Sequence, residues 1–209
     1  MRRTQLQYIS SRLLQIVYQK LKPDAPWLVR RALPAIEAAL TPDAVGIEWG
    51  SGRSSAWFAK RVTHLTSVED DPVWYENVRA ALLRKGLLKR VYLLFVSHED
   101  GLAYVNVTNR FQPESLDFAL VDGSRERGAC TQAVIPLLKK GGLLIIDNAE
   151  RYIPHSSCLH LKQYMSAGEL GSDLWPRLWE LLMSWENKWF NDGVSATALF
   201  TKPTLSDLC

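Results

Sequence analysis

The stretch AVGIEWGSGRSSAWF, residues 44–58, decides how the rest of the chain is read. A short apolar run, residues 44–47, reads as a buried strand of a parallel sheet. Glu48 and Trp49 follow it. Gly50, Ser51 and Gly52 then make a turn in which two glycines let the backbone bend and approach a ligand closely. Arg53, Ser54 and Ser55 open a helix over residues 54–61, whose first backbone N–H groups have no partner within the helix. Strand, glycine turn and helix, in that order, begin a doubly wound α/β domain that binds a nucleotide.

The dinucleotide fingerprint wants a third glycine at position 55, and here that residue is Ser55. Glu48, directly before the turn, would repel a pyrophosphate. A carboxylate there suits a ligand with an ammonium and a sulfonium group. From Glu48 to Ser55 the chain resembles motif I (E-x-G-x-G) of the class I S-adenosylmethionine-dependent methyltransferases. The resemblance implies that Glu48, Trp49, Gly50, Ser51, Gly52, Ser54 and Ser55 hold the methionine end of that cofactor. About 20 residues further on, Glu69 ends the next apolar run, with Asp70 beside it, placed to accept hydrogen bonds from two ribose hydroxyls. The competing reading of the loop alone is a structural βα turn with an exposed glutamate.

Composition excludes several classes. At 209 residues, with 47% hydrophobic and 22% charged residues, the chain fits one ordinary globular domain. No apolar run approaches a membrane span, and no signal-type h-region follows the start. A net charge of +3 is too small to argue for nucleic acid. Cys130, Cys158 and Cys209 form no ligand-spaced pair, which points away from zinc and disulfides and toward a reducing cytoplasm.

Residues 1–22 hold five basic residues and no acidic one. Leu6, Ile9, Leu13 and Ile16 recur at helical spacing, with Val17 and Leu21 beside them, and predict an amphipathic helix. Such a helix can sit on anionic lipid. The narrow stripe without Trp or Phe favours a cap on its own domain or on a second subunit, as in a homodimer. With a second helix over residues 27–40, the reading divides the chain into a helical cap, 1–40, and a single globular unit, 41–209.

Further strands are expected over residues 64–68, 91–96, 116–121 and 143–146. Asp71-Pro72 reads as an N-cap and first residue of a helix that stops at Gly86. A helix over residues 129–139 is closed by Lys139, Lys140, Gly141 and Gly142. Asn191-Asp192-Gly193 reads as a hairpin turn between strands 185–190 and 194–201. The expected fold is a Rossmann-like, doubly wound, seven-stranded α/β sheet, mostly parallel, with a C-terminal antiparallel hairpin. The methyltransferase family looks the same, so the resemblance covers residues 44–202.

Ligands of such sheets bind at the carboxyl ends of the strands. That edge receives Glu48, Glu69 and the turn Ser97, His98, Glu99 and Asp100, where adenine would lie. His98 is also a candidate base, though an ordinary loop histidine is the commoner case. Asp122, Asp147 and Asn148 reach the same edge, with Arg125, Arg127 and Arg151 close behind. The trio resembles the Asp, Asp-Asn set that binds magnesium in catechol- and caffeoyl-coenzyme-A-type O-methyltransferases. It implies Mg²⁺ and removal of a hydroxyl proton beside it. The catechol enzymes carry a lysine where this chain has Arg125, which stays protonated. Another branch, with EWGSG, VDG-x-R and DN-x-x-R, is closer in wording. Metal dependence is open, and strand-end carboxylates that cap local N–H groups are the alternative.

The resemblance implies methyl transfer to a small-molecule acceptor, most simply at oxygen. The arginines suggest an anionic one. An NAD(P)-linked oxidoreductase and a non-catalytic subunit of the same fold are the alternatives. Residues 151–189, with His155, His160 and four of the eight tryptophans, are expected to wall the acceptor pocket.

Overall fold

The computed structural model describes residues 3–97, 99–123, 126–158, 161 and 173–204. Seven strands form one sheet: β1 (Val45–Trp49), β2 (His64–Glu69), β3 (Val91–Phe95), β4 (Leu116–Val121), β5 (Leu138–Asp147), β6 (Glu186–Asn191) and β7 (Ala196–Thr201). Their order is β3-β2-β1-β4-β5-β7-β6. The first five run parallel, and β7 pairs antiparallel with both β5 and β6. The chain thus winds outward from β1 to β3, then returns to β4 on the other side of β1. This reversal opens a crevice at the carboxyl ends of β1 and β4.

Among the described residues the α-helices are α1 (Arg3–Leu21), α2 (Leu33–Ala39), α3 (Arg53–Ala59), α4 (Pro72–Arg84), α5 (Gly101–Asn106), α6 (Arg127–Val134) and α7 (Trp175–Met183). Ile36, Phe58 and Leu82, from α2, α3 and α4, pack with Phe118, Leu120 and Ile145 on one face. Tyr104, Val134 and Leu182, from α5, α6 and α7, pack with Trp49, Val121 and Ile146 on the other. Alternate residues of β4 therefore serve opposite layers. A strand buried on both faces gains from an unbroken apolar run such as 118–121.

Several boundaries differ from the sequence reading. β1 extends through Glu48 and Trp49, and β2 through Glu69, because their ladders continue to the sheet edge. The helix expected over 27–40 is a 3₁₀ turn at Arg30–Ala32 followed by α2. Pro34 explains the division: it suits a first helical turn but cannot donate inside a longer helix. The helix expected to run to residue 139 ends at Val134, just before Pro136. Lys139, Lys140, Gly141 and Gly142 belong to β5, not to a helix end. The pairing of β4 with β5 shifts register there, and Gly141 has φ +77°. A bulge, rather than a stop, is what those glycines provide. Helix α5 was not expected; Asp100 starts it by accepting from the Ala103 N–H at 2.8 Å.

Helix α1 does not turn its apolar stripe onto its own domain. Leu6, Ile9, Leu13, Leu14, Val17 and Leu21 are exposed, so the apolar stripe faces outward. The helix meets the body through polar groups instead. Gln15 Nε2 donates to Asp192 Oδ2 at 3.4 Å, Arg53 donates to the Gln19 carbonyl at 3.0 Å, and Arg30 lies over the Tyr18 ring. Among the described residues no helix is long and apolar enough to cross a membrane.

Candidate active site

At the crevice, Gly50 is required by the protein itself. Its φ is +88°, and a Cβ would stand 2.8 Å from the Asp122 carbonyl. The close approach is held by Asp122 N–H donating to the Trp49 carbonyl at 3.0 Å, and by Gly50 N–H donating to Val68 at 2.9 Å. Gly52 has no such reason. Its φ of 172° is open to any residue, and the nearest atom to a Cβ there is Trp74 Nε1 at 3.8 Å. Beside Gly52 there is room that, among the described residues, only Trp74 approaches within 4 Å. Trp74 bounds it, donating to the Ser51 carbonyl at 2.7 Å and stacking on Trp27 at 5.8 Å.

Two carboxyls stand at the carboxyl ends of β1 and β2, next to the glycine turn in the chain or in space. Glu48 is fully buried; its Oε1 accepts from Ser67 Oγ at 2.7 Å, and its Oε2 has no partner among the described residues. Burial pushes its pKa up to about 7, with the nearby serine hydroxyls pulling the other way. Glu69 Oε1 accepts from the N–H groups of Asp70 and Asp71 at 3.1 and 3.0 Å, and Oε2 from Ser51 Oγ at 2.8 Å. Those bonds fix the carboxyl in place and leave lone pairs for further donors.

Other residues singled out in the sequence have different duties. The Trp49 indole is buried in the core and donates to the Tyr104 carbonyl at 3.0 Å, so only its backbone reaches the crevice. Ser55 Oγ accepts from Gly52 N–H at 2.9 Å and meets Ser67 Oγ at 3.2 Å, which ties the loop to β2. Ser54 is buried beside Glu48 at the start of α3. Asp70 is buried next to Glu69. Ser97 Oγ accepts from the Glu99 N–H in the turn after β3. His98 and Arg125 lie outside the described residues, as does His160.

On the other side of the crevice, Arg127 organises everything. Its side chain is only 9% exposed. Nε donates to the Gly123 carbonyl at 2.7 Å, Nη1 to the Asp147 carbonyl at 2.5 Å, and Nη2 to the Asp122 carbonyl at 2.9 Å. Nη2 also reaches Asp122 Oδ1 at 3.1 Å and Asn148 Oδ1 at 3.5 Å. The Tyr152 ring lies 5.7 Å from the guanidinium carbon and stacks on Trp175 at 4.8 Å. Asn148 holds a left-handed backbone, φ 50°, which suits its residue type. Asp147 Oδ1 accepts from Thr197 Oγ1 at 2.5 Å across the β5–β7 pair. Burial raises the pKa of both Asp122 and Asp147; the charge of Asp122 raises that of Asp147 further, Glu48 and Glu69 raise that of Asp122, and Arg127 counteracts both.

This arrangement bears on magnesium. Asp122, Asp147 and Asn148 do converge, as the resemblance implies. Yet the oxygens of Asp122 and Asn148 already face a fixed guanidinium, and Asp147 is tied to Thr197. A hard dication would have to displace or oppose Arg127 at close range. Among the described residues no three His, Cys, Asp or Glu side chains are grouped to hold a metal. The donor set does not fit Mg²⁺.

A cavity of about 420 Å³ opens beside these groups. Asp122, Asp147, Asn148, Glu150 and Arg151 line its floor, Val194 and Ser195 one side, and Tyr8, Arg12, Gln15, Gln19 and Trp27 its roof. Glu150 Oε2 accepts from Ala196 N–H at 2.8 Å, and burial pushes its pKa up to about 7. The described tryptophans of residues 151–189 do not line it, contrary to expectation. Trp175 and Trp185 are in the core, Trp179 is on the surface, and Trp189 stacks on His155. The sequence reading missed Trp27 and the polar face of α1. Tyr8, Arg12, Gln15 and Gln19 recur at spacings of four, three and four, a legible helical face opposite the apolar stripe.

Comparison with known proteins places this architecture. No family model matches the chain, and no curated protein matches it. Solved structures do. An O-methyltransferase from Bacillus cereus in complex with SAH superposes with a TM-score of 0.62 at 14% identity, over 92% of this chain and 90% of that one. The O-methyltransferase TomG from Streptomyces achromogenes, involved in tomaymycin synthesis and solved with SAM, gives 0.62 at 17%, over 82% and 78%. A methyltransferase from Geobacter sulfurreducens gives 0.58 at 15%, over 93% and 90%. The chain has the Rossmann-like methyltransferase fold over nearly its whole length.

Proposed function

We propose that the protein is an S-adenosylmethionine-dependent methyltransferase that acts on a hydroxyl of a small molecule. The observation that carries this reading is the buried Glu48 Oε2, without a donor among the described residues just before the Gly50 turn, with Glu69 held to that turn through Ser51. An ammonium group answers a buried carboxyl that lacks a donor. Ribose hydroxyls answer the fixed Glu69. The pyrophosphate of a nicotinamide cofactor would meet the Glu48 carboxyl, so the oxidoreductase alternative is not favoured. The solved neighbours with SAM or SAH add support.

The cofactor would be held by Glu48, the Gly50–Gly52 backbone and Glu69, with Asp70, Ser97 and Glu99 toward the adenine. The chemistry it supplies is a methyl group already activated on sulfur. The chain's own residues then orient the acceptor and take its proton. Asp122 and Asp147 border the acceptor cavity, and their burial raises their basicity toward the neutral range, where a general base is most effective. Arg127 holds both strand ends in place and supplies the local positive charge, so we read the reaction as metal-independent. Arg12 and Arg151 on the cavity wall favour an anionic acceptor.

In this reading residues 1–40 cap the acceptor side and residues 41–209 carry the cofactor. The two described cysteines are free and buried, in keeping with a reducing cytoplasm. A homodimer would use the outward stripe of α1, which sedimentation velocity can examine.

Titration calorimetry with S-adenosylhomocysteine tests the core of the proposal. Glu69→Gln is the informative variant, because Ala would also strip the Asp70 and Asp71 N–H groups of their acceptor. We expect micromolar-range binding by the wild type and a loss of about 1.5–3 kcal/mol in the variant. Turnover should be unaffected by excess chelator. No binding by the wild type sinks the reading; chelator sensitivity sinks its metal-free part.

A further inference from the structure

Within three residues, Trp27 to Val29, the chain touches both sides of the crevice. Trp27 is 48% exposed, although Leu28 and Val29 after it are buried. Its ring stacks on Trp74 at 5.8 Å, and the Arg53 guanidinium lies 5.4 Å from its centroid. Trp74 Nε1 donates to the Ser51 carbonyl at 2.7 Å, and Arg53 directly follows Gly52. Two neighbours thus hold Trp27 to the glycine turn. Two residues on, the backbone leads to the opposite side. Val29 N–H donates to Thr197 Oγ1 at 3.0 Å, and Thr197 Oγ1 donates to Asp147 Oδ1 at 2.5 Å. Chemistry fixes these directions. A backbone N–H only donates, so the hydroxyl oxygen accepts from Val29 and its single proton is left for Asp147. Val29 and Thr197 are both buried, which shields the two bonds from water.

Taking the methyltransferase reading for what fills the turn, we propose that residues 27–29 carry its occupancy to the Asp147 carboxyl, with Trp27 and Thr197 as positioning residues. A ligand on Glu48, the Gly50–Gly52 backbone and Glu69 fixes the Ser51 carbonyl and, through it, the Trp74 indole. Trp27, stacked on that indole, is then held inward, and Val29 N–H stays on Thr197. Asp147 Oδ1 is thereby kept on the threonine proton, which leaves Oδ2 for the hydroxyl of the acceptor. The floor of the acceptor cavity is set when the methyl donor is in place. By linkage, a filled acceptor cavity tightens the cofactor turn by the same factor.

Fastening of the loop does not by itself account for Trp27. Asp24, three residues earlier, already ties the same loop to Lys60 at 3.0 Å and to Lys85. Those two lysines end α3 and α4, away from the crevice. Trp27 instead meets the starts of the same two helices, beside the turn, and its ring also borders the acceptor cavity. A tryptophan left half in water stabilises the fold little by burial. Its place between the cofactor turn and the Val29–Thr197–Asp147 chain gives it a use that burial does not.

The Val29 amide reports on the link directly. Its hydrogen exchange is followed by NMR on the full-length, ¹⁵N-labelled protein, without S-adenosylhomocysteine and with it at about 100 times its Kd. An opening that requires release of the ligand is then slowed up to about 100-fold. The Leu65 amide, bonded to the Arg90 carbonyl at 2.9 Å in β2, serves as the reference for global stabilisation. In the wild type, exchange at Val29 should slow at least about tenfold. In Trp27→Ala the slowing at Val29 should fall below about twofold, while that at Leu65 stays as in the wild type. Trp27→Phe keeps a stacking ring and should restore the response. Ligand binding that leaves Val29 exchange unchanged in the wild type overturns the proposal and spares the methyltransferase reading. A response in Trp27→Ala equal to that of the wild type does the same. Absence of S-adenosylhomocysteine binding, read by calorimetry, removes both.

Discussion

At the scale of single residues, Glu48 links burial to a measurable pH dependence. Its carboxyl is held near a pKa of 7 by desolvation, and an ammonium ligand needs it ionised. Below pH 7 binding must first remove a proton, so affinity for S-adenosylhomocysteine should weaken about tenfold per pH unit. Above pH 7 it should level off. Glu48→Gln removes the titrating group, and its weaker affinity should be flat between pH 5.5 and 8. Calorimetry across that range decides; a sloping profile in the variant would assign the proton to another group. Arg127 teaches a different lesson at this scale. Its sequence position, five residues after Asp122, shows a basic residue near a strand end and no more. Five hydrogen bonds from one guanidinium to two strand ends are a product of the fold.

Among the elements, α7 separates packing from function most clearly. Its apolar face carries Trp175, Leu178 and Leu182 into the core, and Trp179 points to solvent at 40% exposure. Trp175→Ala should cost about 3–5 kcal/mol, as deletion of a buried aromatic does. It should also disturb Tyr152 and, through it, Arg127. Trp179→Ala should stay within about 0.5 kcal/mol and leave cofactor affinity unchanged. Urea unfolding and calorimetry on the two variants check both claims, and a large loss in Trp179→Ala would return it to the site. In β1, Gly46 was legible only as a strand residue. A Cβ there would stand 2.2 Å from the Phe118 ring, which stacks on Phe58 at 4.7 Å. No pattern along the chain announces such a cross-strand fit.

For the whole molecule, the concentration of buried carboxyls sets the response to pH. Glu48, Asp122, Asp147 and Glu150 all have folded-state pKa values above their ordinary ones, chiefly through burial. The folded state therefore binds more protons than the unfolded state at intermediate pH. This contribution to stability is full below about pH 4 and is lost as pH rises toward 8. Denaturation midpoints should fall from pH 5 to pH 8. Arg127→Met should steepen that fall, because two buried carboxyls lose their counter-charge and are worst off when ionised. An unchanged slope in this variant would mean that Arg127 does not compensate the pair.

The strand–turn–helix at residues 44–58, the positions of the parallel strands and the C-terminal hairpin were all readable along the chain. Each depends on local pattern: apolar runs, glycine turns and a period of two or 3.6 residues. Backbone hydrogen bonding and burial impose these patterns on neighbours in sequence, so the fold class, the glycine turn and the strand-end positions of Glu48 and Glu69 could be found without coordinates. The cavity beside Asp122 and Asp147 could not. Its geometry joins α1, Trp27, β4, β5, α6 and β7, brought together from residues 8 to 197, and the partners of one charge were set by that assembly. Whether Asp122 and Asp147 meet a metal or a guanidinium turns on where the Arg127 side chain is packed. Which face of α1 is inward turns on polar contacts with Asp192 and Arg53, against the preference of its apolar stripe. Side-chain direction and long-range proximity have no period in the sequence, and only the folded chain decides them.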